Sequence, residues 1–145
     1  MSPAISRHAR ASWSGTVEAG GGQIALGSGA FTGDFTLRAR VEDVERGTNP
    51  EELIAAASAG CFTMSLSSLL AENGTPVDDV ETTARVRLEK LDEGFRITRI
   101  SLTCVGRVDG VDEAKFVQLA EQAKATCPVS LALSGTEIVL DARLG

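Results

Sequence analysis

The segment GTNPEELIAAASAGCFTMSLSSLLAENG (residues 47–74) decides the fold, because it carries both ends of one long helix and an apolar stretch between them. Asn49 can cap the first turn, Pro50 fits the first helical position, and Glu52 completes a capping box. The Asn-Gly pair at 73–74 predicts the end of the helix, since both residues tolerate the left-handed conformation. Apolar residues occupy every face, so we expect the helix to be buried almost all round.

The same segment raises the question of a membrane. Residues 53–70 carry no charge, and this length is close to what spans a bilayer. Serine and threonine residues interrupt the stretch, acidic residues flank it, and no Lys or Arg marks a cytoplasmic side. We therefore predict a helix in a protein core and no membrane as a partner.

The remaining patterns predict strands around this helix. Strands are expected at 9–17, 23–27, 35–41, 81–91, 95–108 and 136–144, with a second helix at 112–125 and a turn at 127–133. The glycines at 20–22 and the Asp-Glu-Gly sequence at 92–94 are expected to form two hairpin turns. These elements predict a single α+β domain covering residues 1–145, in which an antiparallel sheet wraps around a central buried helix.

Length, charge and cysteine content limit the function. The 145 residues suit one domain, and a net charge of −6 with scattered basic residues gives no reason to expect nucleic acid as a partner. Three cysteines leave one unpaired, and no signal peptide is visible in the first residues. We therefore expect a cytoplasmic protein in which a disulfide forms only transiently.

Cys61 and Cys127 are the residues that suggest chemistry. Cys61 lies within the apolar helix and Cys127 precedes a proline at an element boundary, whereas Cys104 lies in a strand and is expected in the core. A metal site is not favoured, because His8 is the only histidine and no paired-cysteine spacing occurs. Two distant sulfurs without a metal motif indicate redox chemistry, although Cys61 could also be no more than a small buried apolar side chain.

A nucleophilic Cys61 would need a positive charge nearby. A cysteine attacks as its thiolate, and an apolar site raises its pKa unless a cation offsets the burial. Cys61 lies ten residues beyond Glu51, too far along the helix for the helix dipole to act. In the predicted strand at 35–41, alternation places Arg38 and Arg40 on one face, so either arginine is a candidate. Both could equally be solvated strand residues.

Two long motifs closely resemble the OsmC/Ohr family of thiol peroxidases. The first is GTNPEELIAAA at 47–57 followed by AGCF at 59–62, and the second is ATCPVS at 125–130. The resemblance extends from the region of Trp13 to the last strand. The Glu-Glu pair at 51–52 is more similar to the OsmC branch than to the Ohr branch, which usually has Gln after the first Glu.

The resemblance implies an organic hydroperoxide reductase that protects against oxidative stress. Cys61 would be the peroxidatic cysteine, and Cys127 would be the resolving cysteine that forms a disulfide with it. Glu51 would position the active-site arginine. For that arginine Arg40 is favoured, because the sequence RVE that it begins resembles an Arg-aromatic-Glu stretch of the family, and Arg38 stays possible.

The resemblance also implies how the enzyme is completed. It predicts no cofactor or metal, an external dithiol reductant of lipoyl or other type, and an intertwined homodimer with active sites at the interface. Ten helical residues separate Glu51 from Cys61 by about 15 Å, so a site that uses both would take them from different subunits. Ser58 stands where OsmC members often have His, and Leu131 where a polar residue is common, which bears on the pocket and on reductant docking.

Two alternatives remain beside a peroxidase. One is a non-enzymatic domain of this fold that binds a small apolar ligand between subunits. The other is a redox sensor that uses the same disulfide.

Overall fold

The computed structural model describes residues 4–43 and 46–145, and the chain divides at residue 50 into two compact units. The first unit contains strands β1 (Ala9–Ser14), β2 (Gly21–Leu26) and β3 (Thr32–Phe35), and the short helix α1 (Leu37–Val41). Helix α2 (Pro50–Glu72) begins at the boundary, and the second unit continues with β4 (Asp79–Leu91), β5 (Gly94–Arg107), α3 (Glu113–Thr126), α4 (Pro128–Ala132) and β6 (Glu137–Leu144). The predicted α+β class is confirmed.

Helix α2 begins and ends where the sequence predicted. Pro50 is its first residue. After its last turn, the N–H of Thr75 donates to the Leu70 carbonyl at 2.9 Å, and the N–H of Gly74 donates to the Ala71 carbonyl at 3.0 Å. Gly74 has a φ of 82°, the left-handed conformation that this pair of hydrogen bonds requires. The cap satisfies carbonyls that the end of a helix otherwise leaves open.

Within one chain, α2 is buried on one face only, which corrects the expectation of burial all round. Phe62, Leu66 and Leu70, spaced four residues apart, have no exposed surface. Met64, on another face, is 76% exposed. The buried face packs into a cluster with residues of β5 and α3, namely Ile100, Leu102, Cys104, Phe116, Leu119, Ala120 and Ala123. A helix lying on one sheet buries only the face toward it, so the opposite apolar face stays open.

Helix α2 is long and apolar enough to cross a membrane, by length and composition alone. Its packing against β5 and α3 in the core of the second unit is the arrangement expected of a core helix.

In the second unit, β4 and β5 form the predicted antiparallel hairpin, with a two-residue turn between the paired Leu91 and Gly94. Strand β6 pairs with β5 in parallel, with Arg99 opposite Glu137, although an antiparallel sheet was expected. The direction follows from the connection: the chain returns through α3 and α4, and a crossover of this length allows parallel pairing. Helix α4 forms where only a turn was predicted.

In the first unit, the prediction of a strand at 35–41 is wrong. Strand β3 ends just before Thr36, whose Oγ1 accepts a hydrogen bond from the N–H of Ala39 at 3.0 Å and caps α1. Neighbouring residues of a helix are rotated by about 100°, so Arg38 and Arg40 point to nearly opposite sides of α1 and share no face. The alternating pattern at 35–41 is too short to distinguish a strand from a short helix. The Thr36 hydroxyl, which caps α1, favours the helix.

The first hairpin turn lies before the glycines at 20–22 that were predicted to form it. Thr16 holds the turn: its Oγ1 accepts from the N–H of Ala19 at 3.1 Å, and its carbonyl accepts from the N–H of Gly20 at 2.7 Å. Strand β2 then begins at Gly21. Strands β1, β2 and β3 form an antiparallel sheet in that order.

Candidate active site

Cys61 and Cys127 lie side by side in the second unit. Cys61 lies on α2 next to Phe62. Phe62 is fully buried, and Cys61 is half-buried at the edge of the core. Cys127 follows the last residue of α3, precedes Pro128 at the start of α4, and has no exposed surface. Both thiols are free, and they lie close enough that each shifts the pKa of the other. The structure thus brings together the two cysteines that the sequence singled out.

Hydrogen-bond donors surround Cys127. Its own N–H donates to the Ala123 carbonyl at 2.9 Å and so fixes it to the end of α3. Its side chain occupies the N-cap position of α4, where the N–H groups of Val129 and Ser130 and the Ser130 hydroxyl approach Sγ without the regular cap bond that an oxygen makes. Burial opposes ionisation, but the hydrogen bonds from Cys61, Ser130 and Val129 together outweigh it and lower the pKa of Cys127 below its usual value.

The surroundings of Cys61 act in the opposite direction. Burial raises the pKa of Cys61 and its hydrogen bond with Cys127 raises it further, while the Val129 N–H and the Ser65 hydroxyl lower it by less. The surroundings thus shift the pKa values of the two coupled thiols in opposite directions, that of Cys127 downward and that of Cys61 upward. Cys61 needs an additional positive charge if it is to be the nucleophile.

Sequence reasoning missed the two serines that contact these sulfurs. Ser65 lies one helical turn after Cys61 on α2, a spacing of four residues that was visible in the sequence. Ser130 is the third residue of α4 and is 8% exposed. The spacing between Cys127 and Ser130 is that of an N-cap residue and the third helical residue, and it could have been read as a capping pattern.

Cys104 lies in the core, as predicted. It belongs to the apolar cluster of the second unit and has no exposed surface. Burial raises the pKa of Cys104, and a hydrogen bond with Thr82 lowers it by less. A buried thiol with a raised pKa is a poor nucleophile, so Cys104 has a structural role.

Metal ligands are not clustered in the part of the chain that the structure describes. There, no group of three or more His, Cys, Asp or Glu side chains is placed to hold a metal ion.

The two arginines of α1 have different surroundings in the first unit. Arg38 Nε lies 2.8 Å from Glu42 Oε2, and both side chains are largely exposed. Arg40 lines a mostly apolar cavity of about 180 Å³. The other lining residues are Trp13, Val17, Phe35, Thr36, Leu37 and Pro50. An apolar concavity with a polar side chain is typical of a small-molecule site, so Arg40 has the surroundings of a binding residue.

Glu51 lies in the first turn of α2 and is only 7% exposed. Cys61 follows ten residues later on the same uninterrupted helix, which separates the two by about 15 Å along the axis. No carboxylate side chain spans this distance, so Glu51 does not reach the thiol of its own chain.

The sequence is similar to a known protein family and to several characterised proteins. Residues 42–142 match the family model described as OsmC-like protein. The chain is 43% identical to peroxiredoxin OsmC of Escherichia coli over 97% of both chains. It is 30% identical to the organic hydroperoxide resistance protein OhrB of Bacillus subtilis, over 79% of this chain and 82% of OhrB.

Solved structures agree in fold. The crystal structure of Bacillus subtilis OhrB covers 95% of this chain and 98% of its own at 27% identity, with a TM-score of 0.69. An organic hydroperoxide resistance protein from Elizabethkingia anophelis, with crystallant-derived thiocyanate bound, covers 100% of both chains at 22% identity, with a TM-score of 0.80. At that identity the second likeness speaks for the fold alone.

Proposed function

The chain belongs to the OsmC-like family, and on this premise we propose that it reduces organic hydroperoxides to alcohols through Cys61 and Cys127. It is a cysteine-based peroxidase with a role in defence against oxidative stress. The observation that carries the proposal is the contact between the two thiols, which belong to distant segments of the chain. That contact is what a peroxidase with a resolving cysteine requires.

The first step takes place at Cys61. Its thiolate attacks the distal, hydrogen-bearing oxygen of the hydroperoxide, the O–O bond breaks, and the alkoxide leaves and takes up a proton to become the alcohol. Cys61 is left as a sulfenic acid. Cys61 is assigned this step because it is partly exposed, whereas a substrate has no direct access to Cys127.

The second step joins the two sulfurs. The Cys127 thiolate attacks Sγ of the sulfenic acid, and the hydroxyl group leaves with a proton as water. The resulting disulfide protects Cys61 from further oxidation. An external dithiol, of lipoyl or similar type, then restores both thiols by exchange, so the cycle needs no cofactor held by the protein.

Arg40 is the proposed source of the positive charge that Cys61 needs. It would stabilise the thiolate and orient the peroxide, and Glu51 would fix the guanidinium by charge-assisted hydrogen bonds. These two roles are carried over from the family resemblance. The apolar cavity that Arg40 lines supports the choice, since it offers room for the alkyl part of a hydroperoxide.

We expect Arg40→Ala to lower kcat/KM for cumene hydroperoxide about 10- to 100-fold, because a charge-assisted interaction with the thiolate is lost. Arg38→Ala is the matched control: its guanidinium pairs with Glu42 on the exposed side of α1, so kcat/KM should stay within about twofold. Steady-state kinetics of both variants decide the assignment. A loss confined to Arg38→Ala would reverse it.

The complete site is proposed to form in a homodimer, with active sites at the interface. Two observations support this: Glu51 cannot reach the Cys61 of its own chain, and the apolar face of α2 that carries Met64 is open. A second copy of the chain would supply the carboxylate and cover part of that face. We further propose that the two units form a single domain of OsmC type and that the protein works in the cytoplasm.

The proposed function predicts turnover that depends on a dithiol. With excess dihydrolipoamide, the wild-type protein should consume cumene hydroperoxide at least about tenfold faster than hydrogen peroxide, because only the former gains apolar contacts. Peroxide loss is followed directly. Absence of turnover with every dithiol would favour the ligand-binding alternative, and a preference for hydrogen peroxide would contradict the substrate class.

A further inference from the structure

The two sulfurs that form the disulfide differ in access and in surroundings. Cys127 has no exposed surface within a single chain, so a partner subunit could only add to its cover. Cys61 is partly exposed, and it has to stay accessible in the proposed dimer because the hydroperoxide reacts at the same sulfur. An incoming thiol therefore reaches Sγ of Cys61 more easily than Sγ of Cys127. This difference in access does not depend on the pKa values of the two thiols.

We propose that the external thiol attacks Sγ of Cys61, that Cys127 is the departing sulfur, and that Ser130 positions Cys127 for this departure. The inference rests on the proposed function, since it concerns the reduction of the disulfide that the peroxidase cycle produces. It adds the site of attack and a positioning residue, neither of which follows from the peroxidase step.

The exchange is balanced without any further reactant. A thiolate of the dithiol forms a bond to Cys61 Sγ, the Cys61–Cys127 bond breaks, and Cys127 leaves with the electron pair as a thiolate. The second thiolate of the dithiol then attacks the dithiol sulfur attached to Cys61, which closes a cyclic disulfide and releases Cys61 as a thiolate. The dithiol is oxidised by two electrons and the protein disulfide is reduced by two.

The groups around Cys127 favour its departure. The buried Ser130 hydroxyl, the Ser130 N–H and the Val129 N–H all approach Cys127 Sγ, where the negative charge appears as the bond breaks. Apart from Cys127, the groups of the described residues that hydrogen-bond to Cys61 and lower its pKa are the Ser65 hydroxyl and the Val129 N–H. Cys127 therefore leaves into surroundings that already offer hydrogen-bond donors to its charge, and the difference in access decides that the attack occurs at Cys61.

Trapping the mixed disulfide tests the site of attack. Wild-type protein is oxidised with diamide, which needs no peroxidase activity, and is then treated briefly with the monothiol N-acetylcysteine. After acid quenching, free thiols are alkylated and the peptides are analysed by mass spectrometry. We expect N-acetylcysteine on Cys61 and the alkyl group on Cys127, with Cys104 alkylated throughout.

The outcomes separate this inference from the proposed function. N-Acetylcysteine found mainly on Cys127 would overturn the site of attack and leave the peroxidase proposal untouched. Failure of diamide to join Cys61 and Cys127 would overturn both the inference and the resolving role of Cys127. Loss of peroxide turnover in an otherwise normal exchange reaction would count against the peroxidase proposal alone.

Substitution of Ser130 tests its positioning role. Ser130→Ala should slow reduction of the disulfide by dihydrolipoamide about tenfold and move the pH profile of that reaction to higher pH, while Ser130→Thr, which keeps the hydroxyl, restores both. Ser134→Ala, in the exposed turn after α4, is the control. An unchanged pH profile in Ser130→Ala would overturn the role of the hydroxyl.

Discussion

Replacing Cys61 with Ser is expected to lower kcat/KM for cumene hydroperoxide by at least about 10³-fold, because it removes the nucleophile itself. A serine hydroxyl does not ionise near neutral pH and cannot form a sulfenic acid. The change is nearly isosteric at a half-buried position, so the fold should persist. Peroxide consumption with excess dihydrolipoamide measures the effect, and circular dichroism verifies that the variant is folded.

Two matched variants serve as controls for the loss of activity in Cys61→Ser. Cys127→Ser should complete one turnover and then lose activity, because the Cys61 sulfenic acid is left open to further oxidation. Cys104→Ala should keep turning over, since Cys104 lies in the core away from the sulfur pair. If Cys61→Ser still gave a single-turnover burst of alcohol, Cys127 would be the peroxidatic cysteine.

That last outcome matters because charge and access favour different sulfurs. The pKa of Cys127 is lowered by its hydrogen bonds and the pKa of Cys61 is raised by burial, so charge alone would select Cys127 as the nucleophile. Access selects Cys61, because Cys127 has no exposed surface. The proposed Arg40 resolves the conflict: a guanidinium beside Cys61 would move the shared negative charge onto the accessible sulfur.

The parts of the fold that the sequence predicts well are those determined by neighbouring residues. Both ends of α2 and the hairpin between β4 and β5 depend on caps and turns that lie within a few positions of one another. The strand predicted at 35–41 failed because the Thr36 cap outweighed a short alternating pattern. The parallel pairing of β6 depends on a long crossover, and the burial of α2 depends on packing, so neither could be read from local sequence.

The candidate site also contains residues that the sequence singled out and residues whose role depends on tertiary contacts. Cys61 and Cys127 stood out as residue types at unusual positions, but their contact depends on how the end of α3 lies against α2. Ser65 and Ser130 are ordinary residues whose importance comes only from the sulfur that each one faces. Their spacings were visible in the sequence, yet nothing there distinguished them from the other serines of the apolar segment and the final turn.

Phe116→Ala is expected to lower the free energy of unfolding by about 3–5 kcal/mol, because it leaves a cavity in the core of the second unit. Phe116 has no exposed surface and belongs to the same apolar cluster as Phe62 of α2. Its ring lies over Gly106 of β5, where an added Cβ would come within 2.7 Å of two ring carbons. Urea denaturation, followed by circular dichroism, gives the change.

Phe95→Ala is the control, because Phe95 is 51% exposed near the start of β5 and its loss should cost less than about 1 kcal/mol. A small effect of Phe116→Ala would mean that the cluster collapses into the space and that α3 shifts toward β5. Such a shift would also move Cys127, because its N–H donates a hydrogen bond to the carbonyl of Ala123, which belongs to the same cluster. In that case stability would be retained while disulfide formation slows, and measuring both in one variant distinguishes a rigid core from an adaptable one.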